Sequence, residues 1–199
     1  MKDNQEIVLE YKSTTLVPYK KRFVQKYHDW MTDKELLELT KSEPLTLIEE
    51  YEMQEKWVVD EDKLTFIIFE GTMMIGDVNL FTVVPFEVDN LVEKFDLPNV
   101  KYAELEIMIA EKLYRTKGHG QNAIQMMISY ATSLGFEQFI VRIDIENAAS
   151  IAFFKRLGFE IIETNSVFKE YLLIYREKSD FYYIIDSFAK FESILKPQN

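Results

Sequence analysis

The order of apolar and polar positions predicts strands and helices that alternate along most of the chain. Segments rich in β-branched and aromatic residues are predicted strands; they are residues 7–19, 64–70, 75–84, 102–110, 138–144, 159–163 and 168–176. Amphipathic or capped segments are predicted helices; they are residues 22–39, 46–57, 121–134, 147–157 and 180–195. The alternation of the two types in the second half indicates an α/β or α+β layer built on a mixed sheet.

Two segments do not fit this alternation as cleanly. Residues 85–101 hold Pro85 and Pro98 and are predicted to be a long connection with one helical turn near Leu91–Phe95. The last residues, 179–199, are expected to form an amphipathic helix that packs on the domain or at an interface. With no repeat and no linker in view, residues 1–178 are predicted to be a single domain. The oligomeric state is left open.

Charge and composition narrow the classes of partner. The net charge of −11 disfavours a nucleic-acid partner and favours a cationic substrate such as an amine. The absence of cysteine removes disulfides and thiolate chemistry. His28 and His119 are the only histidines, so a histidine-rich metal site is excluded and no metal is expected. The charged first ten residues and the lack of an apolar run of about 18 residues point to a cytoplasmic or nuclear protein that does not bind membranes.

Glycine is scarce, and its placement is informative. Of six glycines, Gly71 and Gly76 are assigned to a hairpin turn, whereas Gly118 and Gly120 lie one residue apart just before a predicted helix. A helix N-terminus preceded by glycines can bind an anion. Lys112, Arg115 and Lys117 would add mobile positive charge there. This pattern alone is weak, because a plain tight turn explains it equally well.

The surrounding residues resemble a known family. Arg115-Thr-Lys-Gly-His-Gly120, after a strand, is similar to the acyl-CoA pyrophosphate loop of the GCN5-related N-acetyltransferase (GNAT) superfamily. The block from Asn147 through Ser150 to Leu157-Gly-Phe159 resembles the superfamily's next conserved helix. Further segments resemble the N-acetyltransferase-9 subfamily, close to the RimJ/RimL-type enzymes; they are residues 16–19, 27–31, 42–47, 76–81 and 106–111. Residues 82–101 and the terminal helix depart from the pattern.

The resemblance implies a fold and a reaction. The expected fold is a mixed, mostly antiparallel sheet of about seven strands with helices on both faces. The expected reaction is direct transfer of acetyl from acetyl-CoA to an amine, a protein N-terminus or lysine, in a ternary complex. The alternatives are a non-catalytic CoA-binding or protein-interaction module, and an acetyltransferase for a small-molecule amine.

The resemblance also implies roles for individual residues. Backbone groups of Ile107, Met108 and Ile109 would line the pantetheine arm and polarise the thioester carbonyl. The pyrophosphate would be held by main-chain N–H groups of the loop, with the His119 side chain pointing to solvent; the loop residues are Arg115, Thr116, Lys117, Gly118, His119, Gly120 and Gln121. The remaining cofactor candidates are Asn147, Ser150, Phe154 and Lys155. Asn147 is equally a helix cap, and Lys155 equally a surface lysine.

The reaction needs a neutral amine, which makes acidic residues candidate bases. A lysine amine with a pKa of ~10.4 costs roughly 4–5 kcal/mol to deprotonate at neutral pH, and an α-amine about 1 kcal/mol. Glu104 and Glu106 share one face of a strand and are the candidate bases; either could instead only order the sheet. Asp77 and Asn79 are candidate substrate contacts. Phe154 stands where many members have tyrosine, so it cannot protonate the thiolate.

Acidic residues also concentrate in the second predicted helix and just before it. They are Glu43, Glu49, Glu50 and Glu52. They are expected to form a solvated acidic face, with attraction of a cationic protein tail as the alternative.

Overall fold

The computed structural model describes residues 2–176 and 184–195. The strands are β1 (Ile7–Tyr11), β2 (Thr14–Pro18), β3 (Lys63–Glu70), β4 (Met73–Thr82), β5 (Tyr102–Ile109), β6 (Gln138–Asp144), β7 (Phe159–Asn165), β8 (Glu170–Tyr175) and β9 (Ile184–Ser187). The helices are α1 (Val24–Trp30), α2 (Lys34–Thr40), α3 (Leu47–Val59), α4 (Pro85–Phe95), α5 (His119–Ser133), α6 (Ala148–Arg156) and α7 (Phe188–Leu195).

Within these described ranges, nine strands form one sheet in the order β7-β8-β6-β5-β4-β3-β2-β1-β9. Strands β5 and β6 are parallel, while the β1–β2, β2–β3, β6–β8 and β7–β8 pairs are antiparallel. The predicted mixed, mostly antiparallel sheet is therefore confirmed, with two more strands than expected.

One extra strand comes from the N-terminal segment. Residues 7–19 form a hairpin of β1 and β2 instead of a single strand, because Lys12 turns the chain with a left-handed φ of 54°. The predicted helix over 22–39 is also interrupted. It forms α1 and α2, and Asp33 caps α2 by accepting a hydrogen bond from the backbone N–H of Glu35 at 2.8 Å. At the break between α1 and α2, the Thr32 hydroxyl also donates to the Asp29 backbone oxygen at 2.8 Å, so polar side chains satisfy backbone groups locally.

The other extra strand lies near the C-terminus. Residues 184–187 pair with the outer edge of β1, so that Leu9 lies opposite Ile185. Among residues 184–195, the described part of the helix predicted over 180–195, only α7 is helical. The β-branched pair Ile184-Ile185 supplies strand propensity, and pairing covers an edge that β1 would otherwise expose. Phe181, an apolar residue of the predicted helix, lies outside the described residues. The domain boundary predicted at residue 178 also lies outside them and stays a prediction.

Two helices test the predictions for the first half of the chain. The capping box of Thr46 and Glu49 at the start of α3 is confirmed, with both reciprocal hydrogen bonds formed. The connection over 85–101 holds an eleven-residue helix, α4, in place of one turn. Pro85 at its first position is compatible with a helix start, since its missing N–H would be unpaired there.

The chain forms two compact units. Unit 1 comprises residues 1–79, 107–126 and 182–199, and in it Phe69 of β3 packs edge-on against Phe23 and Phe191 at 5.4 and 5.1 Å between ring centroids. Helix α7 thus packs on the core of unit 1. Unit 2 comprises residues 80–106 and 127–181, and in it α4 buries Val88 and Leu91 against the strands.

Candidate functional site

A close backbone approach in unit 1 explains Gly76. This glycine lies inside β4, and a Cβ built on it would fall 2.0 Å from the backbone oxygen of Met108 and 3.0 Å from the Cα of Ile109. Its assignment to the hairpin turn is therefore wrong; Gly71, with a φ of 57°, serves that turn. No side chain fits at position 76 unless β5 moves. Residues Ile107 to Ile109, the end of β5 predicted to bind the donor, therefore lie very close to the backbone of β4 at Gly76.

The loop before α5 is shaped by left-handed residues. Thr116 has a φ of 62° and Gly118 a φ of 91°, and no atom lies within 4 Å of a Cβ built on Gly118. Helix α5 begins at His119, two residues earlier than predicted, which places Gly120 in its first turn. The first N–H groups of a helix have no partner inside the helix and carry partial positive charge. The backbone here fits an anion such as a pyrophosphate.

The cations beside this loop are held by one carboxylate. Glu35 accepts from Lys112 Nζ at 2.6 Å and from Arg115 Nη1 at 3.0 Å, and these hydrogen bonds hold the pKa of Glu35 below its usual value. Arg115 Nε also donates to the backbone oxygen of Ile109 at 2.9 Å. The expected mobile charge of Lys112 and Arg115 is therefore held in place, and Glu35 compensates one of the two positive charges. Lys117 is exposed, with its Nζ 5.1 Å from the ring centre of Tyr114.

His119 does not point to solvent. Its side chain is buried, and Nδ1 lies 3.0 Å from Thr14 Oγ1. Asn122 Nδ2 donates to the same oxygen at 2.9 Å, so the single Thr14 proton can go to His119 Nδ1. The Nε2 atom lies 3.4 Å from Glu70 Oε1. His119 thus anchors the first turn of α5 to β2 and β3 instead of supplying backbone alone.

The predicted substrate contacts on β4 are joined in a buried network. Asn79 Nδ2 donates to Asp77 Oδ2 at 2.7 Å, and Thr65 Oγ1 donates to Asn79 Oδ1 at 2.6 Å. Asp77 and Asn79 are 2% and 6% exposed. The network fixes the orientation of the Asp77 carboxylate.

The four acidic residues in helix α3 and just before it do not all lie on a solvated face. Glu43, Glu49 and Glu52 are exposed as predicted, whereas Glu50 is 1% exposed. Sequence reasoning missed this burial, and it missed Tyr19, whose hydroxyl lies in the same region.

The strand glutamates lie in unit 2. Arg142 contacts Glu104 through Nη1 and Glu87 through Nη2. Burial, followed by the carboxylates of Glu106 and Glu170, raises the pKa of Glu104 to about 8. The Arg142 guanidinium opposes that rise, since an adjacent cation favours the ionised carboxylate. Glu106 is exposed.

Arg142 also borders a groove in unit 2. The groove has a volume of about 240 Å³, and its polar lining includes Glu87, Arg142, Glu163, Asn165 and Glu170. Sequence reasoning missed Arg142. The only available signal was an arginine placed between the apolar residues Val141 and Ile143 of a strand.

The second predicted block lies at the start of α6. Asn147 caps this helix by accepting from the Ser150 backbone N–H at 3.0 Å, so its predicted role as a helix cap is confirmed, and its contact with the donor stays a prediction. Phe154 is buried, and its ring packs against Phe159 at 5.1 Å between centroids. Lys155 is exposed. In the described part of unit 2, Phe154 thus belongs to the core.

The predicted site residues therefore fall into separate groups. Unit 1 holds the backbone at Ile107–Ile109, the 115–121 loop and the Asp77–Asn79 pair, while Glu104, Glu106 and the Asn147–Lys155 segment belong to unit 2. Among the described residues, no three histidine or carboxylate side chains gather as a metal site. No helix in the described ranges is both long and apolar enough to cross a bilayer. The prediction that no metal takes part stays a prediction.

Comparisons with known proteins agree with this geometry. Residues 14–160 match the sequence model of the acetyltransferase (GNAT) domain. The alpha/beta-tubulin-N-acetyltransferase 9 of Homo sapiens is 41% identical over 187 residues, which cover 87% of this chain and 84% of the human protein.

Solved structures share the fold at low sequence identity. The RimL ribosomal L7/L12 alpha-N-protein acetyltransferase superposes with a TM-score of 0.67 at 14% identity, covering 85% of this chain and 92% of that one. The microcin C7 self-immunity acetyltransferase MccE, in complex with acetyl-CoA and AMP, gives a TM-score of 0.64 at 15% identity, covering 82% of this chain and 92% of that one.

Proposed function

Since this chain belongs to the GNAT acetyltransferase family and is an N-acetyltransferase, we propose that it transfers acetyl from acetyl-CoA to an amine of a protein. Tubulin is the first candidate acceptor, because the similar human protein is named for acetylating α- and β-tubulin. The observation that supports the donor assignment is the start of α5, where Gly118 turns the backbone ahead of unpaired helix N–H groups. A cytoplasmic location stays a prediction.

The residues around this helix start fit a CoA pyrophosphate. Main-chain N–H groups of the 115–121 loop would bind it, with Lys117 as the nearby exposed cation. The buried His119 would hold the loop to β2, which keeps these N–H groups in place before the donor binds. Acetyl-CoA supplies the acetyl group. Its transfer breaks the thioester C–S bond, forms a C–N bond to the acceptor amine and releases CoA. The backbone at Ile107–Ile109 would orient the thioester.

Asn147, Ser150 and Lys155 would add donor contacts in unit 2. The side-chain oxygen of Asn147 is engaged in capping α6, so its amide nitrogen is the group offered to the donor. Phe154 would contribute apolar packing only, since it carries no proton to donate. The CoA thiolate would therefore take its proton from water.

Glu104 is the better-supported general base. It would accept the proton that the acceptor ammonium loses, while Arg142 holds its carboxylate in place. An α-amine, whose pKa is about 7.7–8.0, loses its proton at neutral pH far more easily than a lysine amine near 10.4. This difference favours a protein N-terminus over a lysine side chain. Glu106, exposed on the same strand face, would act on the acceptor side, as would Asp77 and Asn79.

The test is transfer to purified tubulin. We expect labelled acetyl-CoA to modify tubulin N-terminal amines, with mass spectrometry of proteolytic peptides locating the acetyl group. Transfer to no protein amine would contradict the proposal. Acetylation of lysines alone would contradict the preference for N-termini.

Matched variants test the donor site separately. Gly118→Ala and Gly118→Glu strain the same left-handed backbone, but only the glutamate adds a negative charge beside the proposed phosphates. We expect Gly118→Glu to weaken acetyl-CoA binding far more than Gly118→Ala, measured by calorimetry. Equal losses would show that backbone strain, and not anion binding, explains the effect.

A further inference from the structure

Three acidic or hydroxyl side chains are buried near one another in unit 1, where α3 crosses the end of β2. Gln54 of α3 donates to the backbone oxygen of Tyr19 at 2.9 Å, and Glu50 lies one helical turn before Gln54. Tyr19, Glu50 and Asp77 are 2%, 1% and 2% exposed. Hydrogen bonds link the Tyr19 backbone N–H through Thr65 and Asn79 to Asp77. Burial, then the charges of Glu50 and Asp77, raise the pKa of the Tyr19 hydroxyl.

Two of these groups lack the partners that buried polar atoms normally have. Among the described residues, neither the Tyr19 hydroxyl nor Glu50 Oε2 makes a hydrogen bond. The His28 Nδ1 atom lies 3.9 Å from Glu50 Oε1, beyond hydrogen-bond distance. Unpaired buried polar groups are rare because they destabilise the fold. Glu50 Oε2 and the Tyr19 hydroxyl therefore retain the capacity to accept a hydrogen bond from a ligand.

The arrangement is selective for a positively charged nitrogen. The carboxylates of Glu50 and Asp77 and the phenolic oxygen of Tyr19 can all accept hydrogen bonds, and an ammonium or guanidinium has only donors to give. The Asn79 amide already holds one oxygen of Asp77 in place. The His28 side chain, next to Glu50, is 19% exposed.

We propose that Glu50, Tyr19 and Asp77 form a subsite that binds a positively charged nitrogen of the acceptor. This inference rests on the proposed function. The nitrogen has two possible sources, the ammonium that will be acetylated or a lysine or arginine side chain beside it in the acceptor. Both would form charge-assisted hydrogen bonds to the same carboxylates.

The experiment compares Glu50→Gln with Glu52→Gln, a control on the exposed side of the same helix. The acceptors are two peptides that differ only by arginine or its neutral isostere citrulline beside the reacting α-amine. We expect Glu50→Gln to raise the acceptor KM by about tenfold to a hundredfold, the effect of one lost charge-assisted hydrogen bond. The KM for acetyl-CoA should stay unchanged, and Glu52→Gln should behave as wild type.

The two peptides distinguish the sources of charge. If the arginine side chain occupies the subsite, wild type should discriminate against the citrulline peptide, and Glu50→Gln should remove that discrimination. If the reacting ammonium occupies the subsite, the Glu50→Gln variant should show the same increase in KM for both peptides. An unchanged acceptor KM in Glu50→Gln would overturn the subsite, whereas a wild-type enzyme that acetylates no amine would overturn the proposed function instead.

Folding stability separates this role from a purely structural one. Glu50→Gln removes a buried negative charge and Tyr19→Phe removes a hydroxyl that lacks a partner, so the free protein should be as stable as wild type or more stable. A residue that merely supports the fold would lower Tm when replaced. A lower Tm in both variants, with acceptor and acetyl-CoA KM values rising together, would overturn the proposal.

Discussion

Replacing Gly76 by alanine should damage donor binding through the backbone alone. The new Cβ would lie 2.0 Å from the Met108 oxygen, more than 1 Å inside the ordinary carbon–oxygen contact of about 3.3 Å. The opposing atoms belong to the main chain, so neither a rotamer change nor a flexible side chain can relieve the clash. Strand β5 must move at Met108 and Ile109, where the backbone is proposed to orient the thioester.

The expected magnitude follows from overpacking. Forcing a methyl group into a filled site costs about 1–3 kcal/mol, which for a protein of this size lowers Tm by roughly 2–12 °C. Differential scanning fluorimetry measures this loss in the free protein. Calorimetric titration with acetyl-CoA, at a temperature where the variant stays folded, should show a further loss of affinity.

Gly71→Ala is the matched control. Gly71 has a left-handed φ of 57° and no atom within 4 Å of its built Cβ, so alanine there costs about 1–2 kcal/mol of backbone strain. We expect a similar or smaller drop in Tm with unchanged acetyl-CoA affinity. If Gly76→Ala binds acetyl-CoA as tightly as Gly71→Ala does, the proposed coupling between this backbone contact and donor binding is refuted.

Three further substitutions test the pKa values of Glu104 and Glu50 and the anchoring of α5 by His119. Because a glutamate base must be deprotonated, kcat/KM should rise with pH and level off above about 8, the raised pKa of Glu104. The Glu104→Gln variant should be nearly inactive and should lose this rise. A wild-type kcat/KM that does not change as pH approaches about 8 would argue against Glu104 as the base. Burial raises the pKa of Glu50, so the folded state binds that proton more tightly and its stability falls as pH increases above the unfolded value of about 4.3. Urea titrations should show Glu50→Gln gaining stability over wild type as pH rises, and a constant difference would contradict this. His119→Ala should lower the free energy of unfolding by about 1–3 kcal/mol, because the Thr14 hydroxyl loses its buried partner. Acetyl-CoA affinity should fall too, and unchanged affinity would remove His119 from the donor site.

Local features were predicted well because their causes are local. The capping box at Thr46 and the cap at Asn147 join residues three apart, so their hydrogen bonds follow from a helix start at that point. The turn at Gly118 follows from the conformational freedom of glycine ahead of an amphipathic helix. Period-2 alternation also correctly placed Glu104 and Glu106 on one strand.

Errors arose where a distant partner decided the outcome. Residues 184–187 carry an apolar pattern that suits a helix, but the free edge of β1 pairs with them as a strand. The local sequence predicts that His119 faces solvent. The structure buries it instead against Thr14, which lies 105 positions earlier in the chain. Gly76 was assigned to a turn because the approach of Met108, in a later strand, is invisible in the local pattern.

The sequence by itself determined the alternation of elements, the family and the glycine turn ahead of α5, because these depend on short-range periodicity and on motifs read within a few residues. Only the tertiary structure decided which charges are available. It paired Lys112 and Arg115 with Glu35, bound Glu104 to Arg142, and buried Glu50 beside Tyr19. Electrostatic interactions and desolvation act through space between residues far apart in the chain, so the pKa and role of a side chain follow from the neighbours that folding gives it.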